Sequence, residues 1–184
     1  MRRHPIGYRY AYALFEIARD QETLTETLEE LETVSQVLKD TKLFDKVFSN
    51  PKMTDDEKKK ILTDTFSKHV GTSVLHLLLL IIDKKRESVF QAVADNFKEL
   101  VYEEKGIAEA TVYSAKPLSE QERAAVISVF AKRAGKAKLL IDNVVDEEII
   151  GGLKVHIGDT VYDGSVANQL ARIQTRMIHG NVSR

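Results

Sequence analysis

The sequence predicts an α+β protein, with an N-terminal antiparallel six-helix bundle over residues 1–105 and a small C-terminal α/β domain over residues 106–184. Three observations predict it. Apolar residues recur at helical spacing from Ile6 to Glu104. At Gly106 the apolar period shortens to that of strands, with β-branched runs and alternation. Two Ser/Thr-x-x-Glu capping boxes and a Gly-Asp turn punctuate the chain where elements must begin or reverse.

The first expected helix runs from Ile6 to Arg19, with Ala11, Phe15 and Ala18 on one stripe. The second carries Leu24, Leu28, Leu31 and Leu38 opposite an acidic side of Glu22, Glu26, Glu29 and Glu30. Leu43 to Phe48 makes a short third helix, stopped by Asn50-Pro51. Thr54-Asp55-Asp56-Glu57 caps a fourth, which carries Ile61, Leu62 and Phe66. Thr72 or Ser73 is expected to cap the fifth, an apolar run ending at Ile82. The sixth, Ser88 to Glu104, carries Val89, Val93, Phe97, Leu100 and Val101. Short connections between such helices favour an antiparallel bundle.

Beyond Gly106, Ile107 to Ala115 reads as a strand around Thr111-Val112-Tyr113. Ser119-Glu120-Gln121-Glu122 opens a helix through Arg133, and Leu139 to Val145 is a second strand. Leu153, Val155 and Ile157 alternate with Lys154 and His156, turn at Gly158-Asp159, and return as Thr160-Val161-Tyr162. Asp163-Gly164-Ser165 starts a last helix with Val166, Leu170, Ile173 and Met177 on it and Arg172 and Arg176 near its end.

Composition narrows the function. With 43% hydrophobic residues in 184, the chain can bury a core, and wholesale disorder is excluded. The absence of cysteine removes disulfides, cysteine-ligated zinc, iron–sulfur clusters and thiol catalysis, and favours a reducing compartment. A balance of 27 Lys/Arg against 28 Asp/Glu gives no general attraction to nucleic acid. The longest apolar run, Val74 to Ile82, makes roughly 14 Å of helix, about half a bilayer core. A soluble protein is expected, without direct membrane insertion, whose membrane association comes through a partner.

The search for catalytic motifs returns little. No phosphate-cradling P-loop and no nucleophile elbow is present. His4, His69, His76, His156 and His179 lie far apart and lack metal-ligand spacing. Gly151-Gly152 can be read as a phosphate-approach site or as a bend feeding the Leu153 strand. Lys132, Arg133, Lys136 and Lys138 can be read as an anion site or as cations at a helix C-terminus before a capping Gly135. In both cases the structural reading is simpler. No enzyme, cofactor or metal is expected.

Two helices carry more apolar surface than one core-facing stripe uses. On the first, Arg9, Glu16 and Asp20 mark the wet side, and Tyr10, Ala13 and Ile17 fill a stripe between core and water. On the fifth, His76 and Asp83 mark the outward line and draw Leu79 and Leu80 toward the surface. Either both helices are buried all round, or they share a groove for the apolar face of a partner's amphipathic helix.

These features, in this order, resemble the delta subunit of F-type ATP synthase, whose mitochondrial counterpart is the oligomycin-sensitivity-conferring protein. Tyr10-Ala11-Tyr12-Ala13-Leu14-Phe15-Glu16-Ile17-Ala18 is similar to the family's opening. The more specific block is Ile150-Gly151-Gly152-Leu153-Lys154-Val155-His156-Ile157-Gly158-Asp159, followed by Val161-Tyr162-Asp163-Gly164-Ser165 and Leu170. His156 stands where arginine is frequent, on a face expected to be exposed.

The resemblance implies a non-catalytic stator adapter, a monomer within a hetero-oligomeric complex at the cytoplasmic face of the cell membrane. Its N-terminal helices would bind amino-terminal helices of the alpha subunits in a groove formed by Tyr10, Ala13, Leu14 and Ile17 beside His76, Leu79 and Leu80. Its C-terminal part would contact the b subunits of the peripheral stalk, with Gly151, Gly152, Gly158, Asp159, Asp163 and Ser165 as signature residues. The adapter would hold the catalytic head against rotary torque and keep proton flow coupled to ATP synthesis. The alternative is an RNA-binding transcription antitermination protein, whose factor B family resembles the helical part and has an Arg-Arg pair like Arg2-Arg3. Only Arg2, Arg3, Arg9, Arg19 and Lys39 are basic before residue 42, and that family lacks a second domain. A small phosphate-handling enzyme built on Gly151-Gly152 is the third reading.

Overall fold

The computed structural model describes residues 4–40 and 53–179. The chain is α+β and divides into two compact units, 1–102 and 103–184. The expected Leu43 to Phe48 helix lies outside the described residues.

In the first unit, α1 (Pro5–Asp20) begins where Pro5 supplies a helical φ and His4 Nδ1 accepts a hydrogen bond from Gly7 N at 3.3 Å. It buries the narrow face Gly7, Ala11, Leu14, Phe15 and Ala18. Thr23 N donates to Ala18 O at 2.8 Å and reverses the chain into α2 (Leu24–Asp40). The helix α3 (Asp55–Phe66) opens on the expected capping box of Thr54 and Glu57. It is followed by α4 (Thr72–Asp83), whose N-cap is Gly71 rather than Thr72 or Ser73. Glycine in an extended conformation makes no side-chain cap there, and the carboxylate of Glu30 lies beside it. A short 3-10 turn, Glu87–Val89, leads into α5 (Phe90–Glu104).

Residue contacts set the helix directions. Glu30, in the first half of α2, meets the N-terminus of α4, while Leu38 near the end of α2 shares a small void with Ile81 and Ile82. So α2 and α4 run parallel, and α1, antiparallel to α2 across a tight turn, is antiparallel to α4. Lys59 pairs with Asp83 and Lys58 Nζ reaches Glu87 Oε1 at 3.1 Å, which makes α3 antiparallel to α4. The core joins Leu14, Phe15, Leu31, Val34, Leu62, Val74, Leu78, Ile82, Val93 and Phe97.

The second unit is a four-stranded sheet in the order β2-β1-β3-β4. β1 (Ile107–Ser114) pairs in parallel with β2 (Lys138–Val145) through the crossover helix α6 (Glu120–Ala134). A parallel pair demands such a crossover. β3 (Leu153–Ile157) and β4 (Thr160–Asp163) add antiparallel strands, and α7 (Val166–His179) follows. Ala110, Val112, Leu139, Val155 and Ile157 meet Val126 and Ala131 of α6 in a second core. Asn143 Nδ2 donates to Val112 O and Ser114 Oγ, and its Oδ1 accepts from Leu118 N, which ties β2 to β1 and to the approach to α6. The alternating burial of β1 and β3 matches the period read from sequence.

Gly135 ends α6 in the left-handed conformation, φ 64°, with open space around it. Gly152 is different. Its φ is 83°, and an added Cβ would stand 2.5 Å from Gly164 O and 3.0 Å from Ser165 Cα. Gly135→Ala should therefore cost about 1 kcal/mol and Gly152→Ala about 3 kcal/mol, because only the second adds a backbone clash to the strained φ. Urea unfolding followed by circular dichroism measures both, and equal losses would contradict the close crossing.

Both capping carboxylates sit below their ordinary value of 4.5: Glu57 mainly through the backbone N–H of Thr54, Glu122 mainly through the hydroxyl of Ser119. A carboxyl whose folded value is depressed stabilises the fold above its ordinary value and loses that contribution as pH falls through the folded one. The Glu57→Gln/Glu122→Gln variant should melt below the parent at pH 7, and the gap should narrow as pH falls below 4.5.

Candidate protein-binding site

The arrangement starts with the two shoulders of α1. At about 100° per residue, burying Ala11, Leu14, Phe15 and Ala18 leaves Tyr10, Ala13 and Ile17 on one shoulder and Tyr8, Tyr12 and Arg19 on the other. Ile17 is 46% exposed and Ala13 is exposed, while Tyr10 is half-buried against the core. Leu14 is 3% exposed, which corrects its place in the expected groove: it points into the core with Phe15 and Ala18.

Arg86, three residues past α4, donates from Nη1 to Tyr10 Oη at 3.3 Å, so the Tyr10 shoulder is the one beside α4. On α4, Val74, Leu77, Leu78, Ile81 and Ile82 are buried. His76 is exposed, Leu80 is 41% exposed, and Leu79 is half-buried. With α1 and α4 antiparallel over a shared core, the helical wheel puts Leu80 on the flank toward α1 and Leu79 on the opposite flank, with Leu75. The structure thus brings together Tyr10, Ala13, Ile17, His76 and Leu80 along one valley, and sets Leu14 and Leu79 outside it.

Lys84, Lys85 and Arg86 are exposed at the Tyr10 end of this valley. Lys85 has φ 52°, and Arg86 N donates to Ile81 O at 3.0 Å, a helix ending that turns this basic run outward. Asp20 and Glu30 lie toward the other end. The valley is apolar along its floor and oppositely charged at its ends.

The other shoulder holds an aromatic row that helical periodicity alone does not separate from the core. Tyr8 stacks on Tyr12 at 6.0 Å, Tyr12 lies 6.5 Å from Phe15, and the Arg19 guanidinium is 5.8 Å from the Phe15 ring. The signal for it was present: Tyr8, Tyr12 and Arg19 share one side at helical spacing.

In the second unit the signature residues form a junction. Gly164 N donates to Leu153 O at 2.9 Å, and Val166 N donates to Gly151 O at the same distance. Ser165 N donates to Asp163 Oδ1, and Asn168 N to Ser165 Oγ. The Asp163 carboxyl is held below its usual range, first by the Ser165 hydroxyl and then by the Ser165 N–H. Gly151 and Gly152 are accounted for by this backbone crossing, and no phosphate-binding role is needed to explain them. Gly158, at φ 55°, makes the turn before Asp159. His156 departs from expectation: its ring packs 5.0 Å from Tyr113 and its Nε2 is shielded from solvent. Of the basic cluster, Arg133 lies over Phe130 and Tyr162, at 6.0 and 5.7 Å.

None of these arrangements pairs a nucleophile with a base, and among the described residues no cluster of three His, Asp or Glu could hold a metal. What the site offers is apolar surface.

The burial difference has a direct test. Leu14→Ala should cost about 3 kcal/mol of stability, because it opens a cavity in the core. Ile17→Ala should cost less than about 1 kcal/mol, because that side chain already faces water. Urea midpoints of the two variants read the difference.

The profile of the family described as ATP synthase delta (OSCP) subunit matches residues 6–177. The chain is 42% identical to the ATP synthase subunit delta of Alkalihalophilus pseudofirmus over 98% of this chain and 99% of the relative. It is 40% identical to that of a Geobacillus species, over 97% and 99%. Among solved structures it is similar to a chain in the Toxoplasma gondii mitochondrial ATP synthase hexamer, with a TM-score of 0.68 and 26% identity over 94% of this chain and 97% of that one.

Proposed function

This chain belongs to the ATP synthase delta (OSCP) subunit family, and from that premise we propose that its two units are the two grips of a stator. As a subunit of ATP synthase it is a component of the peripheral stalk. No helix among the described residues is long and apolar enough to cross a membrane. On our reading it works at the cytoplasmic face and performs no chemistry.

The bundle is the grip on the catalytic head. The observation that carries this is the valley between α1 and α4, where Ile17 and Leu80 remain 46% and 41% exposed in a helix pair whose other large aliphatic side chains are buried or half-buried. An amphipathic helix from an alpha-subunit N-terminus, laid along the valley, would cover Ala13, Ile17 and Leu80. The unit 103–184 is the grip on the b subunits. The RNA-binding alternative accounted for the helical part alone, whereas the family match continues to residue 177.

The mechanism is mechanical. Rotation of a central shaft inside the catalytic head exerts torque on the head, and unless the head is held it turns with the shaft and no work is stored. The holder must grip the head and the stalk separately, and each grip must outlast a catalytic cycle. Desolvated apolar anchors meet that demand, because slow dissociation comes from well-packed buried contacts. A net charge of −1 supplies no broad steering field and none is required.

Titration of the full chain with an alpha-subunit N-terminal peptide tests the first grip. Ile17→Asp and Leu80→Asp should each weaken binding at least about tenfold, the cost of placing a carboxylate in a desolvated contact, while far-UV circular dichroism stays unchanged. Unchanged affinity in both variants would place the alpha-subunit contact elsewhere on the bundle.

A further inference from the structure

Asp163-Gly164 is the only place in the sequence where an acidic residue or an asparagine precedes a glycine. In an unconstrained chain that pair is chemically fragile. With no side chain on the second residue, its main-chain nitrogen swings freely onto the aspartyl Cγ and closes a five-membered imide. Two demands of the junction before α7 put these residues side by side. The Asp163 carboxylate accepts from Ser165 N at 2.9 Å. Gly164 stands where an added Cβ would lie 3.3 Å from Leu153 O, and its own carbonyl is 2.5 Å from a Cβ added at Gly152.

The same junction keeps the reacting atoms apart. Gly164 N donates to Leu153 O at 2.9 Å, so the nitrogen is engaged with β3. Asp163 Oδ1 is held by Ser165 N, and Asp163 O accepts from Asn168 Nδ2 at 2.8 Å. Ser165 Oγ accepts from Asn168 N at 3.2 Å in the first turn of α7. The Asp163 carboxyl is kept ionised, first by the Ser165 hydroxyl and then by the Ser165 N–H, and a carboxylate has no hydroxyl to lose as water.

We propose that Asp163-Gly164 is a site of backbone isomerisation that the β3–α7 junction holds closed, and that isomerisation there releases α7 from its clamp. The step needs water alone. When the junction opens, Gly164 N gives up its proton and bonds to Cγ of the protonated Asp163 carboxyl, whose hydroxyl leaves with that proton as water. Water then adds to the imide. Addition at Cγ restores aspartate. Addition at the main-chain carbonyl of Asp163 breaks its bond to Gly164 N, and the chain then runs through Cβ and Cγ as isoaspartate. The product carries one more carbon in its main chain, about 1.5 Å of extra path at a crossing that has no slack. Little else holds the helix. Val166, Leu170, Ile173 and Met177 recur at the spacing of a coiled-coil seam, yet all four are exposed, and no residue from 166 to 178 is buried. The core of the unit, around Val112, Val126, Leu139 and Val155, lies outside the junction and is left intact.

The test is to age the full chain at pH 7, folded and in urea, and to measure isoaspartate at 163 by peptide mapping with electron-transfer dissociation. The unfolded chain should accumulate it at least about tenfold faster. Ser165→Ala removes the hydroxyl that Asp163 and Asn168 share and should raise the folded rate about fivefold, with no change in urea. The isomerised chain, separated by ion exchange, should lose hydrogen-exchange protection over 166–178 and keep it over 107–157, because a released helix of 14 residues is marginal in water. Equal rates in the folded and unfolded chains, no isoaspartate at 163 in the unfolded chain, or full protection of 166–178 after isomerisation would each overturn the proposal. None of these outcomes bears on the stator reading.

Discussion

The close approach of α1 to α5 is the constraint from which the bundle's surface follows. Gly7 lies so near Ala92 that an added Cβ would stand 2.9 Å from its side chain, and Phe15 meets Phe97 edge-on at 6.4 Å. Small residues at positions 7, 11 and 18 let α1 sink into the core on a narrow face. A helix held by a narrow face leaves two broad shoulders outside, and one of them becomes the wall of the valley beside α4. Were Gly7 larger, α1 would ride higher and its alignment with α4 through Tyr10 and Arg86 would be lost. The geometry of the valley is therefore set in the core, on the side of α1 away from water.

On the proposed stator reading, the two units solve the same problem with different materials. The bundle exposes apolar flanks of helices that are otherwise firmly packed, so that surface exists before any partner arrives. The second unit has few buried residues in α6 and none over residues 166–178 of α7, and presents a sparsely covered helix from a small sheet. Preformed surface minimises the ordering cost of binding, while a projecting helix buries more of its own area when covered. One grip is a groove and the other is a blade.

Much of this was legible in the sequence because local signals and tertiary structure agree. The boxes at Thr54 and Ser119, the Gly135 ending and the strand alternation all act within a few residues, where physics is read directly from order. Failures came where one residue answers to two neighbourhoods. Leu14 enters the expected groove through the family resemblance and not through periodicity, and its depth of packing puts it in the core with Phe15 and Ala18. Leu79 and Leu80 looked equivalent because both flank the outward line, and the position of α1 separated them. Thr72 was the better capping residue by chemistry, but the chain enters α4 one residue earlier, through Gly71. The spacing of Val166, Leu170, Ile173 and Met177 places them on one helix, but spacing cannot say whether the surface that covers them lies in the same chain.

The crossing of Gly152 and Gly164 has a mechanical meaning. A helix of 14 residues is about 21 Å long, and α7 is tied to its hairpin near one end, so it behaves as a cantilever clamped at its root. A misalignment of about 10° at the clamp would carry the free tip nearly 4 Å, more than two residues of helical rise and enough to slide a coiled-coil seam out of register. The tolerance of the joint is set by how closely the backbones of these two glycines cross. In an assembly that must carry a sideways load, the stiffness of the whole arm is limited by that one clamp.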